Sequence, residues 1–171
     1  MERTMLIMQG LPGLGKSRLA ERIASSDAFA LISTDSIRLE LTGDASDLSR
    51  DMEVYQLARE RAKIALRAQP SINIVVDATN TRRSALNEWL GIAQLYRMAV
   101  RVAMFDIDLT LSMAVNRKRA RRGERFVPNN VLMAMETRLK DFDWSEIDGY
   151  VDVKAKDGYT WRIFYASNAK I

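Results

Sequence analysis

The chain is 171 residues long, with 26 Lys and Arg against 22 Asp and Glu, and contains no His and no Cys. Disulfides, thiolate zinc sites, cysteine nucleophiles, imidazole bases and histidine ligands are therefore excluded, and acid–base chemistry falls to Asp, Glu, Lys, Tyr or a bound metal ion. The formal charge of +4 is concentrated: Arg117, Lys118, Arg119, Arg121, Arg122 and Arg125 stand within nine residues, offset only by Glu124, so this segment carries +5 and the rest of the chain −1.

A hydrophobic content of 47% suits one domain with its own core over residues 1–171. No apolar run is long enough for a signal-peptide core or a membrane span, which fits a soluble, cytoplasmic protein without membrane contacts. Met5–Met8 reads as a short buried strand ended by Gly10, and a helix is predicted from about Lys16 to Ser25. Phe29–Ser33 is a second strand, with Asp35 placed to cap the short helix after it. Helical spacing runs from Asp47 to Ala68, with Pro70 just beyond. The β-branched run Ile72–Asp77 is a third strand, Arg82–Arg97 a helix, Val100–Phe105 a fourth strand and Thr110–Arg122 a helix leading into the basic segment. Pro128 suits the first position of a last helix, to about Lys140. Two alternating runs, Tyr150–Ala155 and Tyr159–Tyr165, flank Asp157-Gly158 and predict a β-hairpin over about 150–166. Strands alternating with helices imply an α/β fold: a mainly parallel sheet covered by helices on both faces, with ligands bound beyond the carboxyl ends of the strands.

The chemical motifs fall at those ends. Gly10-Leu11-Pro12-Gly13-Leu14-Gly15-Lys16-Ser17 matches G-x-x-x-x-G-K-[ST] throughout, between a strand and a helix. A glycine-rich turn lets backbone N–H groups encircle a triphosphate, and the following helix adds its positive end. Lys16 is expected on the β/γ-phosphates of ATP or another NTP, and the Ser17 hydroxyl on Mg²⁺. After the second strand, Asp35 and Arg38 share a helix face; a carboxylate beside a cation suits a hydroxyl acceptor, the first taking its proton and the second holding a phosphate. A capping Asp in an i,i+3 ion pair is the bland alternative. Asp77 ends the third strand where an acidic group steadies Mg²⁺, directly or through water, or else caps the following helix, and Thr79, Asn80, Arg82 and Arg83 follow. Thr79 and Asn80 suit either acceptor contacts or turn formation. In the basic segment, about 116–128, Arg122 and Arg125 flank Gly123 and are preferred over Arg117–Arg121 as arginines of a lid closing on the triphosphate. A patch on a nucleic-acid backbone is compatible with the same charge.

Phe105-Asp106-Ile107-Asp108-Leu109-Thr110 is similar to the first motif of haloacid-dehalogenase-type phosphatases, but Leu109 stands where Gly is usual and only about 60 residues follow. The pair of aspartates is expected instead to end the fourth strand and start a helix.

Taken in order, the motifs resemble the kinase domain of bacteriophage polynucleotide kinase–phosphatase and related P-loop 5′-hydroxyl polynucleotide kinases. The match runs from about Met5 to Leu139: G-x-P-G-x-G-K-S, then D-x-x-R at Asp35 and Arg38, then a strand ending near Thr79-Asn80. It closes with R-G-x-x-x-V-P-x-x-V-L at Arg122, Gly123, Val127, Pro128, Val131 and Leu132. The resemblance implies a P-loop kinase fold with an Arg-rich lid and transfer of the γ-phosphate of ATP to the 5′-hydroxyl of DNA or RNA. Asp35 is then the general base, Arg38 binds the acceptor phosphate, Lys16 and Ser17 serve ATP and Mg²⁺, and Arg122 meets the transferring phosphate. Asp77 stands two residues before Thr79 where the phage enzyme's Asp directly precedes its Thr. No phosphatase segment follows Trp144, so a kinase alone is expected. A small-molecule hydroxyl kinase and a nucleotide-binding module without transfer are the competing readings.

Overall fold

The computed structural model describes residues 3–142, 149–154 and 160–166. Four strands alternate with helices: β1 (Thr4–Gln9), α1 (Lys16–Ala24), β2 (Phe29–Ser33), α2 (Thr34–Thr42), α3 (Asp51–Ala68), β3 (Asn73–Asp77), α4 (Arg83–Leu95) and β4 (Ala99–Phe105). Then come α5 (Leu109–Ala120), α6 (Asn129–Lys140), β5 (Gly149–Lys154) and β6 (Thr160–Ala166). The sheet order is β2-β3-β1-β4-β6-β5. The first four strands are parallel, and β6 and β5 extend the edge in antiparallel fashion, with Phe105 registered against Trp161 and Tyr150 against Phe164. The expected hairpin strands are therefore present, while their Asp157-Gly158 turn lies outside the described residues.

Alternation along β1 shows how the layers form. Met5 and Ile7 point to a cluster with Ile74, Val76, Val100 and Val102, covered by Ile37 of α2, Val54 and Ala58 of α3, and Trp89 of α4. Leu6 and Met8 point the other way, onto Leu19 and Ala20 of α1, Val75, Ala103, Phe105 and Leu139 of α6. A period of two on strands buried from both sides is what a helix-covered parallel sheet requires. Among the described residues, no helix is long and apolar enough to cross a membrane.

Local chemistry moves several boundaries. Ser33, not Asp35, caps α2: its hydroxyl accepts from Ser36 N, which leaves the Asp35 carboxylate free to face the crevice from the first turn. Helix α3 starts at Asp51 rather than Asp47, because Asp44 accepts from Ser46 N and Asp47 from Ser49 N, both at 2.8 Å, and such side-chain turns compete with helix. Asp108 caps α5 by accepting from Leu111 N at 2.8 Å, so the D-x-D sequence does end a strand and start a helix.

Candidate active site

The carboxyl ends of the parallel strands bring four segments together. β1 runs into the phosphate loop, which α5 braces from behind: Ser112 Oγ donates to Pro12 O at 2.7 Å, and Gly13 (φ 81°) leaves no room for a side chain, since a Cβ there would stand 2.9 Å from Val115 Cγ1. A left-handed backbone pressed on a neighbouring helix requires glycine. α1 then begins after Gly15 with no side-chain cap, so its first N–H groups remain available to phosphate oxygens. Leu11 and Leu14 anchor the loop in the core.

Lys16 is buried, and its Nζ donates to Leu11 O at 2.6 Å. Burial pulls its pKa from 10.5 down to about 8, against the opposing pull of Asp77 and Asp35. Asp77, registered beside Ser33, is also buried; its carboxylate accepts from the Ser17 hydroxyl and, at 3.4 Å, from Ser33 Oγ. Burial raises the Asp77 pKa, opposed by Ser17 and Lys16. A hydroxyl and a carboxylate meeting beside a phosphate loop form a hard-oxygen pair that fits Mg²⁺, which takes one or two protein oxygens and completes its shell with phosphates and water. The loop's uncapped amides and Lys16 fit the phosphates of ATP. Among the described residues, no cluster of three or more acidic groups offers a metal cage of protein alone.

Across the crevice, Asp35 Oδ1 accepts from Arg38 at 2.7 Å and also from Arg125. The other end of the Arg38 guanidinium donates to Asp51 Oδ1 at 2.5 Å. Burial works against the charge of Arg38, but the Asp51 and Asp35 partners prevail and hold its pKa above the ordinary arginine value. A buried cation fixed at both ends is rigid, which suits a residue that must position a ligand.

The crevice opens into a groove of about 570 Å³, and Arg38, Tyr55, Thr79 and Arg125 border both. The groove carries five arginines, Arg38, Arg59, Arg82, Arg125 and Arg138, against two carboxylates, Asp51 and Glu88. Leu48, Met52, Val131 and Met135 supply an apolar wall. Thr79 hydrogen-bonds the half-buried Tyr55, whose pKa desolvation raises, and the Thr79 carbonyl accepts from Gly10 N at 3.1 Å.

Three expected residues behave differently. Asn80 borders the groove but turns its amide inward, donating to Met8 O at 2.7 Å from a left-handed backbone (φ 45°), so it ties the turn to β1. Arg83 faces away and lies over the Phe142 ring at 5.5 Å. Arg122 is exposed beside Glu124 and lines neither cavity. α5 ends at Ala120, and Gly123 (φ 70°) turns the chain so that Arg122 swings outward while Arg125 returns to Asp35. Arg119, passed over in the sequence, lines the crevice instead. Its signal was helical phase: Ser112, Asn116 and Arg119 fall at i, i+4 and i+7, one face of α5. Asn116 on that face holds the returning chain, with Nδ2 donating to Val127 O at 2.6 Å and Oδ1 accepting from Val127 N at 2.9 Å. Asp51, Tyr55 and Arg138 had no local sequence signal.

A parallel sheet with a phosphate loop at its strand ends and a Lys–Ser–Asp constellation beside it defines a P-loop kinase fold that binds nucleotide. The chain belongs to the AAA_33 family of AAA domains, whose model matches residues 5–142. Among solved structures it is similar to a chain of the Pnkp1/Rnl/Hen1 RNA repair complex (23% identity, TM-score 0.69, covering 91% of this chain and 53% of that one). It thus spans about half the length of that repair protein. It is also similar to a Deinococcus radiodurans tunicamycin resistance protein (14% identity, TM-score 0.54, 82% and 81% covered). A gluconokinase from Sinorhizobium meliloti is similar too (19% identity, TM-score 0.50, 83% and 78% covered). No curated protein matches the chain.

Proposed function

We propose that the protein transfers the γ-phosphate of ATP to the 5′-hydroxyl of a polynucleotide, DNA or RNA. The observation that carries this reading is the arginine-rich groove that opens from Asp35, with Arg38 at the junction. A strand end laid in the groove would put its hydroxyl at the carboxylate and its phosphates among the arginines, while ATP reaches the crevice from the phosphate loop.

In this account Asp35 accepts the hydroxyl proton as the acceptor oxygen bonds to the γ-phosphorus and the bond to ADP breaks. Lys16, Arg119 and Arg125 offset charge on the phosphoryl group, and Ser17 and Asp77 would hold Mg²⁺, which would supply further charge neutralisation. Arg125 shares Asp35 Oδ1 with Arg38 and lines the crevice, so it stands within reach of both the base and an incoming triphosphate. The segment from about 116 to 128 acts as the lid.

Labelled γ-phosphate offered with a panel of 5′-hydroxyl DNA, RNA and small alcohols tests the reading. Transfer to oligonucleotides with acceptor KM rising steeply with salt supports it, because a strand releases counterions on binding. Transfer confined to small alcohols, with a salt-insensitive KM, replaces it by the small-molecule reading. That alternative draws its support from Arg59–Glu88 and Arg38–Asp51, which neutralise part of the groove internally.

A further inference from the structure

Two arginines that line the groove, the exposed Arg82 and the half-buried Arg138, form no ion pair with a carboxylate among the described residues. Arg82 stands at the start of α4, whose first turn has no side-chain cap, and Arg138 reaches in from α6. The other groove arginines are tied to acids: Arg38 to Asp35 and Asp51, Arg59 to Glu88, Arg125 to Asp35. Arg138 is not. Its Nε, like those of Arg38 and Arg125, is shielded from solvent without a hydrogen-bond partner among the described residues, but only in Arg138 does the guanidinium also lack an acidic partner. Burial, and then the like charge of Arg82, pull its pKa below the ordinary arginine value. A shielded donor without an acceptor is costly, and two neighbouring cations repel. An anion bound between them would relieve both.

We propose that Arg82, Arg138 and the uncapped start of α4 form a second phosphate subsite, which takes an internal phosphate of the acceptor strand beyond the one held at Arg38. The guanidinium forks and the first N–H groups of a 13-residue helix are suited to a phosphate oxygen cluster. Met135 and Val131, on the same face of α6 as Arg138, give the intervening nucleoside an apolar surface. The subsite rests on the acceptor reading of the groove, and it sharpens that reading. The preferred acceptor carries at least two phosphates, and a nucleoside 3′-monophosphate fills only half of the site.

The test is equilibrium binding of a fluorescent 5′-deoxy trinucleotide, which lacks the reacting hydroxyl, with a 5′-deoxy nucleoside 3′-phosphate as competitor. Wild-type protein is expected to favour the trinucleotide about tenfold or more, in line with charge-assisted hydrogen bonds. R82Q/R138Q should lose most of that preference, with the slope of log K against log salt shallower by about 0.7, the value for one single-strand phosphate that the protein no longer neutralises. R82K/R138K keeps the charge without the fork and should recover part of the affinity. R22A, an exposed arginine on α1 away from the groove, serves as control. Equal affinity and equal salt slope in wild type and R82Q/R138Q overturn the subsite. If binding falls as expected but the wild type transfers phosphate to no oligonucleotide, the subsite stands and the kinase reading falls.

Discussion

Lys16 makes nucleotide binding a pH-dependent event. The ligand-free side chain is buried, and its pKa is pulled from 10.5 to about 8. Phosphates arriving beside it favour the charged form, so binding returns the pKa toward or above its ordinary value. At pH 7 the amine is charged before and after binding. At pH 9, one unit above the ligand-free pKa, only about a tenth of the protein carries the charge, and apparent affinity should be roughly tenfold weaker. The full shift corresponds to about 3 kcal/mol at 1.36 kcal/mol per unit. The direction for folding follows from the same shift. The folded pKa lies below the unfolded one, so the unfolded chain binds more protons between about pH 8 and 10.5, and this group's penalty on stability fades as pH rises through that window. The assay is titration with a non-hydrolysable ATP analogue and Mg²⁺ at pH 7 and pH 9, by calorimetry in two buffers of different ionisation enthalpy. Uptake of close to one proton per nucleotide is expected at pH 9, and K16M should bind weakly without pH dependence over this range. Equal affinities at pH 7 and pH 9 in the wild type, with no proton uptake, would refute the reasoning.

Other substitutions separate the remaining roles. R38A should raise the acceptor KM by about tenfold to a hundredfold with little effect on the KM for ATP, and D51N should do the same more weakly, because it frees one end of the Arg38 guanidinium. R119A should cut kcat by about a hundredfold while R122A stays within twofold, measured by steady-state transfer, since only Arg119 of this pair lines the crevice. N116A removes two buried hydrogen bonds to Val127 and should lower stability by about 2 kcal/mol in urea unfolding, while raising proteolytic cleavage after Arg121 or Arg125.

The fold was largely legible because local and global signals agree along the parallel sheet. Phe29–Ser33 is apolar and short, and the structure returns the strand with those bounds, although the cap of the next helix is Ser33 rather than the expected Asp35. The phosphate loop was legible because its glycines answer to backbone geometry rather than to distant partners. Three kinds of feature were not. Asp47 looks like a helix-start residue, and only the bonds of Asp44 to Ser46 and of Asp47 to Ser49 show that this stretch forms turns instead. Arg122 and Arg125 lie on either side of Gly123, and the direction of the turn decides which returns to Asp35. Asp51, at the start of α3, meets Arg38 of α2 across the irregular segment 43–50, a pairing that no spacing encodes. Arg119 lies between these cases, since the period of α5 placed it on the face of Ser112 and Asn116 while charge density alone drew attention away.

The central claim is that Asp35 activates a polynucleotide 5′-hydroxyl. It is tested most directly by single-turnover transfer from γ-labelled ATP to a 5′-hydroxyl oligonucleotide, with wild-type protein and D35N compared at matched ATP occupancy. The account predicts transfer by the wild type, a loss of about 10²–10⁴-fold in D35N, and ATP affinity within a few-fold of wild type. Transfer by D35N at the wild-type rate, or no transfer to the oligonucleotide by a wild-type protein that binds ATP, would contradict it.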